Sequence, residues 1–165
     1  MRELELSKGY KAQVDDEDYE RCLEGGKWNA SVSPKKNTVY AVRTRWISSE
    51  KRYTHDRLHR FILGVTDPKV EVDHKDRNGL NCQRYNLRPA TRSQSQRNKG
   101  NQINNTSGFK GVCWDKSKNA WKAYVSRKHI GHFATAEEAA KAHDIAVLKL
   151  HGEFAVTNKS LGAIA

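Results

Sequence analysis

Glu71-Val-Asp-His-Lys-Asp-Arg-Asn-Gly-Leu-Asn-Cys-Gln-Arg-Tyr-Asn-Leu-Arg88, running on through Pro89-Ala-Thr-Arg-Ser-Gln-Ser-Gln-Arg-Asn98, sets a carboxylate, an imidazole and several amides in a strongly basic frame. That set meets the needs of metal-assisted phosphodiester hydrolysis. A hard divalent ion takes oxygen ligands, the attacking water needs a base that titrates near neutrality, and a polyanion needs positive charge around both. Asp73, His74 and the flanking arginines supply all three. Consecutive residues of a regular strand point to opposite faces, so Asp73 and His74 serve one site only where the strand ends or distorts. Asp76-Arg-Asn-Gly79 provides a turn immediately afterwards. Taken alone, Asp-His also describes an ordinary turn entry with the imidazole bonded to backbone; the surrounding residues favour a site.

Charge is unevenly distributed along the 165 residues. Residues 75–128 hold 13 Lys/Arg against 2 Asp/Glu, whereas residues 1–74 hold 14 against 13 and residues 129–165 hold 3 against 4, within a net charge of +11. Solvated surfaces mix both signs, so a one-sided block interleaved with Trp114, Trp121 and Tyr124 points to a nucleic-acid face. Apolar residues make up 36% and charged residues 30%, yet four Trp and six Tyr rule out a disordered chain. Cys22, Cys82 and Cys113 are odd in number and form no C-x-x-C pair, which argues against a disulfide framework or structural zinc and for reduced thiols in the cytoplasm. No signal-like apolar run opens the chain, and no window approaches the roughly 18 apolar residues of a membrane span.

Period-two runs predict strands in residues 2–14, at Ala30-Ser-Val and at Thr38–Ile47, with a Pro34-Lys-Lys-Asn turn between the last two. Asp15–Leu23 opens on acids and precedes Gly25-Gly26, as a helix would. Tyr53–Leu63 predicts a second helix, with Leu58, Phe61 and Ile62 on one stripe. Within it, His55-Asp-Arg-Leu-His59 imitates a zinc-protease helix, but Asp replaces the longer Glu and no third ligand is evident. Asn78 and Asn81 read as turn formers. The polar run Lys99–Ser107 reads as a linker between a first domain (1–98, its core about 66–98) and a second (108–158). The second holds strands at Lys110–Trp114, Ala120–Arg127 and Lys128–Phe133. A helix follows, opened by the capping box Thr135-Ala-Glu-Glu and packed through Ala139, Ala140, His143, Ala146, Val147 and Leu150.

Asp73-His74, the Asn-containing loop, Asn86-Leu-Arg88 and Ala90-Thr-Arg-Ser-Gln with its helix resemble the His-Asn-His (HNH) endonucleases of the phage and homing type, whose core is the ββα-metal motif. The resemblance implies that Asp73 and an oxygen ligand on the following helix hold one divalent ion. It implies His74 as general base and Asn86 as the residue that ties the loop together. Magnesium, or manganese in its place, suits such a set because it keeps several waters and binds few protein oxygens. Arg84, Arg88, Arg92 and Arg97 would position the strand. Ser95 stands where this branch usually has a second ligating Asn, and Asn98, at i+3 on the same helix face, is the alternative.

Ser107-Gly-Phe-Lys-Gly-Val-Cys-Trp114, Trp121-Lys-Ala-Tyr-Val125, Ile130-Gly-His-Phe133 and Thr135-Ala-Glu-Glu-Ala-Ala140 are similar to the APETALA/ethylene-response-factor DNA-binding domain over about residues 105–158. That family's fold is a three-stranded antiparallel sheet backed by one helix, with the sheet entering the major groove. Period two then turns Trp121, Ala123 and Val125 to the helix and Lys122 and Tyr124 to DNA, with Arg127 and His129 from the third strand and Lys110 from the first. Cys113 and Asp115 replace arginines usual in the plant proteins, which removes guanine readout there and leaves phosphate contacts.

The expectation is an α+β protein: small N-terminal mixed elements, a ββα-metal nuclease core, then a three-stranded sheet on one helix. Its function would be metal-dependent cleavage of double-stranded DNA, with no membrane and no protein partner implied. The alternatives are a non-catalytic DNA-binding protein with a degenerate nuclease core and a single-strand RNA-binding module. If Ser95 is a weakened ligand, Ser95→Asn raises divalent-metal affinity in a titration calorimeter or raises the cleavage rate; no gain assigns the ligand to Asn98.

Overall fold

Alternating apolar positions at the start of the chain build a hairpin. In this computed structural model, which describes residues 1–33, 38–101 and 104–164, β1 (Arg2–Glu5) pairs antiparallel with β2 (Lys11–Val14), and Leu4, Ala12 and Val14 enter the core. The turn expected at Pro34–Asn37, and Gln102 and Ile103 of the expected linker, lie outside the described residues. The chain divides into two units at Arg92/Ser93. Both are mixed α and β with small sheets. No helix among the described residues is long and apolar enough to cross a membrane.

In the first unit α1 (Asp16–Leu23) carries Asp16, Glu17 and Asp18 in its first turn, where the exposed N–H groups favour negative charge. Asp15, the residue before it, leaves that turn uncapped and instead accepts Gln83 Nε2 at 3.0 Å and Arg84 N at 2.7 Å, tying the helix start to the loop 83–84. A three-stranded antiparallel sheet follows, ordered β3 (Asn29–Ser33), β4 (Thr38–Ile47), β5 (Arg52–Arg57). Its inner face gives Ala30, Ala41 and Arg43 to a core with Trp28, Leu58, Ile62, Cys82 and Leu87. Buried Arg43 is accommodated because its guanidinium lies 4.4 Å over the Trp28 ring and pairs with Asp56 at 3.2 Å.

The predicted Tyr53–Leu63 helix is shorter than its stripe suggested. Only α2 (Leu58–Leu63) is helical, and residues 52–57 form β5 in unbroken register with β4, from Ile47↔Arg52 to Val42↔Arg57. Ladder hydrogen bonds and the cross-strand Trp46–Tyr53 contact outweigh local helical preference there. His55 and His59 thus lie on different elements, which removes the zinc-protease helix. A two-stranded sheet, β6 (Glu71–His74) with β7 (Leu87–Ala90), then leads into α3 (Arg92–Arg97), which straddles the division between units.

The second unit stacks an antiparallel sheet, ordered β10 (Lys128–Phe133), β9 (Ala120–Val125), β8 (Val112–Asp115), on α4 (Ala136–His151). The capping box forms: Glu138 N donates to Thr135 Oγ1 at 3.2 Å, and Thr135 N donates to Glu138 Oε2 at 3.3 Å. Val112, Ala123, Ala139 and Ala140 are the buried centre, with Trp121, Ile130 and Phe133 packed around it. The packing face of α4 ends at Val147, and Leu150 is exposed in the last turn.

Two corrections concern expected DNA contacts. Arg127 is not on a strand: with Ser126 it forms the two-residue turn between β9 and β10, at φ +69° and +49°, the left-handed pair that a tight hairpin twist demands. Lys110 precedes β8, and its ammonium is held by the Arg97 and Lys99 carbonyls.

Asn158, fully buried, stitches the start of this sheet to α4. Its Oδ1 accepts Lys110 N at 2.6 Å, and its Nδ2 donates to Lys110 O at 3.1 Å and to Asp144 Oδ1 at 2.9 Å. Gly111 passes so close to the helix that a Cβ would lie 2.2 Å from the His143 ring. Asn158→Ala strands those backbone groups and lowers unfolding free energy by about 2–4 kcal/mol in a urea titration, with loss of cooperativity in the second unit.

Candidate nuclease site and nucleic-acid face

β6 stops at His74 because the next residues close a polar loop. Arg77 N donates to His74 O at 3.0 Å with Arg77 at φ +67°, and Asp76 Oδ1 accepts Asn78 N at 2.8 Å. Asn86 holds the loop from inside. Its Oδ1 accepts Asp76 N at 3.0 Å, its Nδ2 donates to Asp76 Oδ1 at 2.9 Å and Asn81 O at 2.8 Å, and its backbone O accepts Lys75 N at 2.9 Å. Asn78 and Asn81 are turn residues: Asn78 Oδ1 accepts Leu80 N at 3.1 Å, and Asn81 Nδ2 donates to Asp76 Oδ2 at 2.7 Å. Gly79 is required by space, since a Cβ there would sit 2.3 Å from Val39 O and 2.8 Å from the Tyr40 ring.

Asp73 and His74 are the last two residues of β6, and both are buried. Asp73 Oδ2 accepts Arg88 Nε at 2.9 Å and Nη2 at 2.8 Å, a cross-strand ion pair in which both partners are buried. His74 packs edge-on to His59, with ring centres 4.9 Å apart, and near Tyr40 at 5.9 Å, while its Nε2 lies 3.8 Å from Cys82 Sγ. Burial lowers the His74 pKa from its ordinary value against the opposing pull of Asp76 and Asp73. Burial, reinforced by His74, Arg57 and Arg60, pushes His59 down to about 3. The Cys82 thiol is pushed up to about 12, mainly by burial, and stays protonated.

The remaining predicted residues divide. Arg84 is committed to α1, donating to Asp18 at 2.7 and 2.8 Å and pairing with Glu17, so its charge is compensated internally, as that of Arg88 is by Asp73. Arg92 is exposed and Arg97 half-buried. Ser95 and Asn98 belong to the second unit; Asn98 is buried, and Ser95 Oγ is a buried hydroxyl with no hydrogen-bond partner among the described residues. Among the described residues no three His, Cys, Asp or Glu side chains gather around a common point.

On the second unit the sheet face away from α4 is basic and concave, lined by Cys113, Lys122, Tyr124, Arg127, His129 and His132 around Asp115. Asp115 accepts Ser117 Oγ at 2.7 Å and pairs with His132 Nε2 at 3.0 Å, and these bonds hold its carboxyl well below the usual carboxylate range. A family model, the AP2 domain, matches residues 107–153. An uncharacterized HNH endonuclease of Acanthamoeba polyphaga mimivirus is 37% identical over 112 residues, 62% of this chain and 57% of that protein. Protein 3.8 of Escherichia phage T7 is 32% identical over 106 residues, 61% of this chain and 86% of that protein. The chain belongs to one family with phage T7 Protein 3.8 and carries an AP2 domain. An AP2-like ethylene-responsive transcription factor of Arabidopsis thaliana is 30% identical over 150 residues, 85% of this chain and 45% of that protein. The chain thus spans about half the length of the mimivirus and plant relatives.

In the first unit sequence reasoning missed the His59–His74 contact and the approach of Cys82 to His74. His59 comes to residue 74 through the tertiary fold, where Tyr40 of β4 lies against both rings. In the AP2 domain it missed His132, whose pairing with Asp115 is made across the sheet. The buried histidines set a pH dependence. Their folded pKa values are depressed, so the unfolded chain takes up protons that the folded chain refuses. Stability is therefore full above the ordinary value near 6.5 and is lost as pH falls toward about 3 for His59. By pH 5 His59 alone costs about 2 kcal/mol. Urea midpoints measured from pH 7 to pH 5 fall accordingly, and His59→Gln flattens the slope.

Proposed function

We propose that this chain is a metal-dependent DNA endonuclease in which the HNH unit cuts and the AP2 sheet holds duplex DNA. The observation that carries the reading is the pairing, at the end of one short strand, of a buried carboxylate with a buried imidazole kept neutral by its surroundings, with Asn86 fixing the loop behind them. A neutral imidazole accepts a proton near neutral pH, and His74 takes it from the attacking water. The donor set suits a hard cation such as Mg²⁺ or Mn²⁺: the Asp73 carboxylate, with the Ser95 hydroxyl or the Asn98 amide as the further oxygen named by the HNH resemblance. When bound, the ion supplies charge stabilisation to the phosphate and to the leaving 3′-oxygen. Arg88 orients Asp73 by two hydrogen bonds to one oxygen. Lys122, Tyr124, Arg127 and His129 contact the duplex through the AP2 sheet, mainly at phosphates.

The buried Arg88–Asp73 pair also favours the second reading, DNA binding without cleavage, because it already neutralises the carboxylate that a cation would need. Supercoiled plasmid separates the two. The endonuclease relaxes or linearises it with Mg²⁺ or Mn²⁺, loses activity with EDTA, and falls by at least about 100-fold on His74→Ala, the scale of a lost general base. Plasmid retarded in a gel but left uncut under every metal identifies the non-catalytic protein.

A further inference from the structure

We propose that the outward face of the β3–β4–β5 sheet is a second duplex-DNA contact surface, continuous with the His74 site and tipped by the exposed Trp46–Tyr53 pair. The proposal rests on the nucleic-acid reading above and adds a contact that the HNH and AP2 resemblances do not supply. The sheet is covered along one side, and on the other it is covered at the Tyr40 end and open toward Trp46. Ala41 and Arg43 turn inward, while Tyr40, Val42, Thr44 and Trp46 recur at period two on the other face. At one end of that stripe the Tyr40 ring lies 5.6 Å from His59 and 5.9 Å from His74. At the other end Trp46 and Tyr53 stand cross-strand with ring centres 4.9 Å apart, yet they remain 52% and 65% exposed. Six residues of strand, at roughly 3.3 Å each, separate the ends by about 20 Å, on the order of six base-pair steps.

The chemistry between the ends suits a polyanion. Next to the aromatic pair, Thr44 Oγ1 and His55 Nδ1 are 3.1 Å apart, leaving a polar rung exposed to solvent. Arg57, opposite Val42, and Lys51, in the hairpin turn at φ +48°, are exposed and have no ion-pair partner among the described residues. Exposed rings flanked by cations pack on the sugars or wedge at a base step of a duplex, while the cations contact its phosphates. A protein-protein interface core is depleted of such charge, which makes a second copy of the chain the weaker occupant.

The test uses the full chain in EDTA, so that no cleavage is required, with a fluorescein-labelled 40-base-pair duplex of mixed sequence. Trp46→Ala/Tyr53→Ala raises the Kd read by fluorescence anisotropy by about tenfold, the scale of a lost stacking contact, whereas Trp46→Phe/Tyr53→Phe stays within about threefold. A duplex carrying 5-iodouracil crosslinks under ultraviolet light to the tryptic peptide that holds Trp46 or Tyr53. Both alanine changes are at exposed positions, and an unchanged circular-dichroism melt confirms that the fold persists. Lys122→Ala is run in parallel. If it weakens binding while the hairpin variant does not and no crosslink maps to the hairpin, this proposal fails alone. If neither variant weakens binding, the nucleic-acid reading fails with it. A hairpin variant that instead changes the sedimentation mass with Kd intact marks the face as a self-association surface and overturns the proposal.

Discussion

The side-chain amide of Asn86 holds the geometry of the first unit in place. An amide removed from water must find partners inside, and Asn86 finds three, at Asp76 N, Asp76 Oδ1 and Asn81 O. Those bonds close the loop after β6 and so end the strand at His74. Gly79 is thereby pressed against Val39 and Tyr40, and Cys82 is set beside the His74 ring. Asn158 does the same in the second unit, where it joins the lead-in to β8 with the interior of α4. Two units of under a hundred residues each own few apolar side chains. In each, a fully satisfied buried amide supplies the directional constraint that a small core lacks.

Burial around His74 has electrostatic consequences. Desolvation among His59, Tyr40 and Cys82 outweighs the pull of Asp76 and Asp73 on His74, and both histidines favour the neutral form. The same unit spends much of its positive charge internally. Arg43 and Arg45 face Asp56, Arg84 faces Glu17 and Asp18, and Arg88 faces Asp73. The net charge of +11 therefore overstates what the first unit turns outward, and the concave AP2 face holds the clearest concentration of basic side chains.

Features with a local cause were legible in the sequence. The acidic opening of α1, the capping box of α4 and the period-two runs of β1 to β4, β9 and β10 appear where short-range rules place them. So do the turn character of Asn78 and Asn81 and the inward side of Trp121, Ala123 and Val125. Misreadings arose where a distant partner decided. Tyr53–Arg57 has a helical stripe beyond it and no breaker before it, yet pairing with β4 makes it a strand. Ser126-Arg127 contains neither Gly nor Asn, so nothing in its composition announced a left-handed turn. For Arg84, Arg88 and Lys110, sequence distance hides the internal partners Asp18, Asp73 and the Arg97 and Lys99 carbonyls.

By itself the sequence determined most elements outside β5, the inner and outer faces of the AP2 sheet, and the residue types gathered between Glu71 and Asn98, because periodicity, capping and turn chemistry act over a few residues. Only the tertiary structure decided that Asp73 is paired with Arg88, that His74 lies against His59, Tyr40 and Cys82, and that the Trp46–Tyr53 end of the β3–β4–β5 sheet stays open. Those outcomes depend on strand pairing and burial between residues far apart in the chain. Protonation and ion pairing follow from that enclosure and not from the order of the residues.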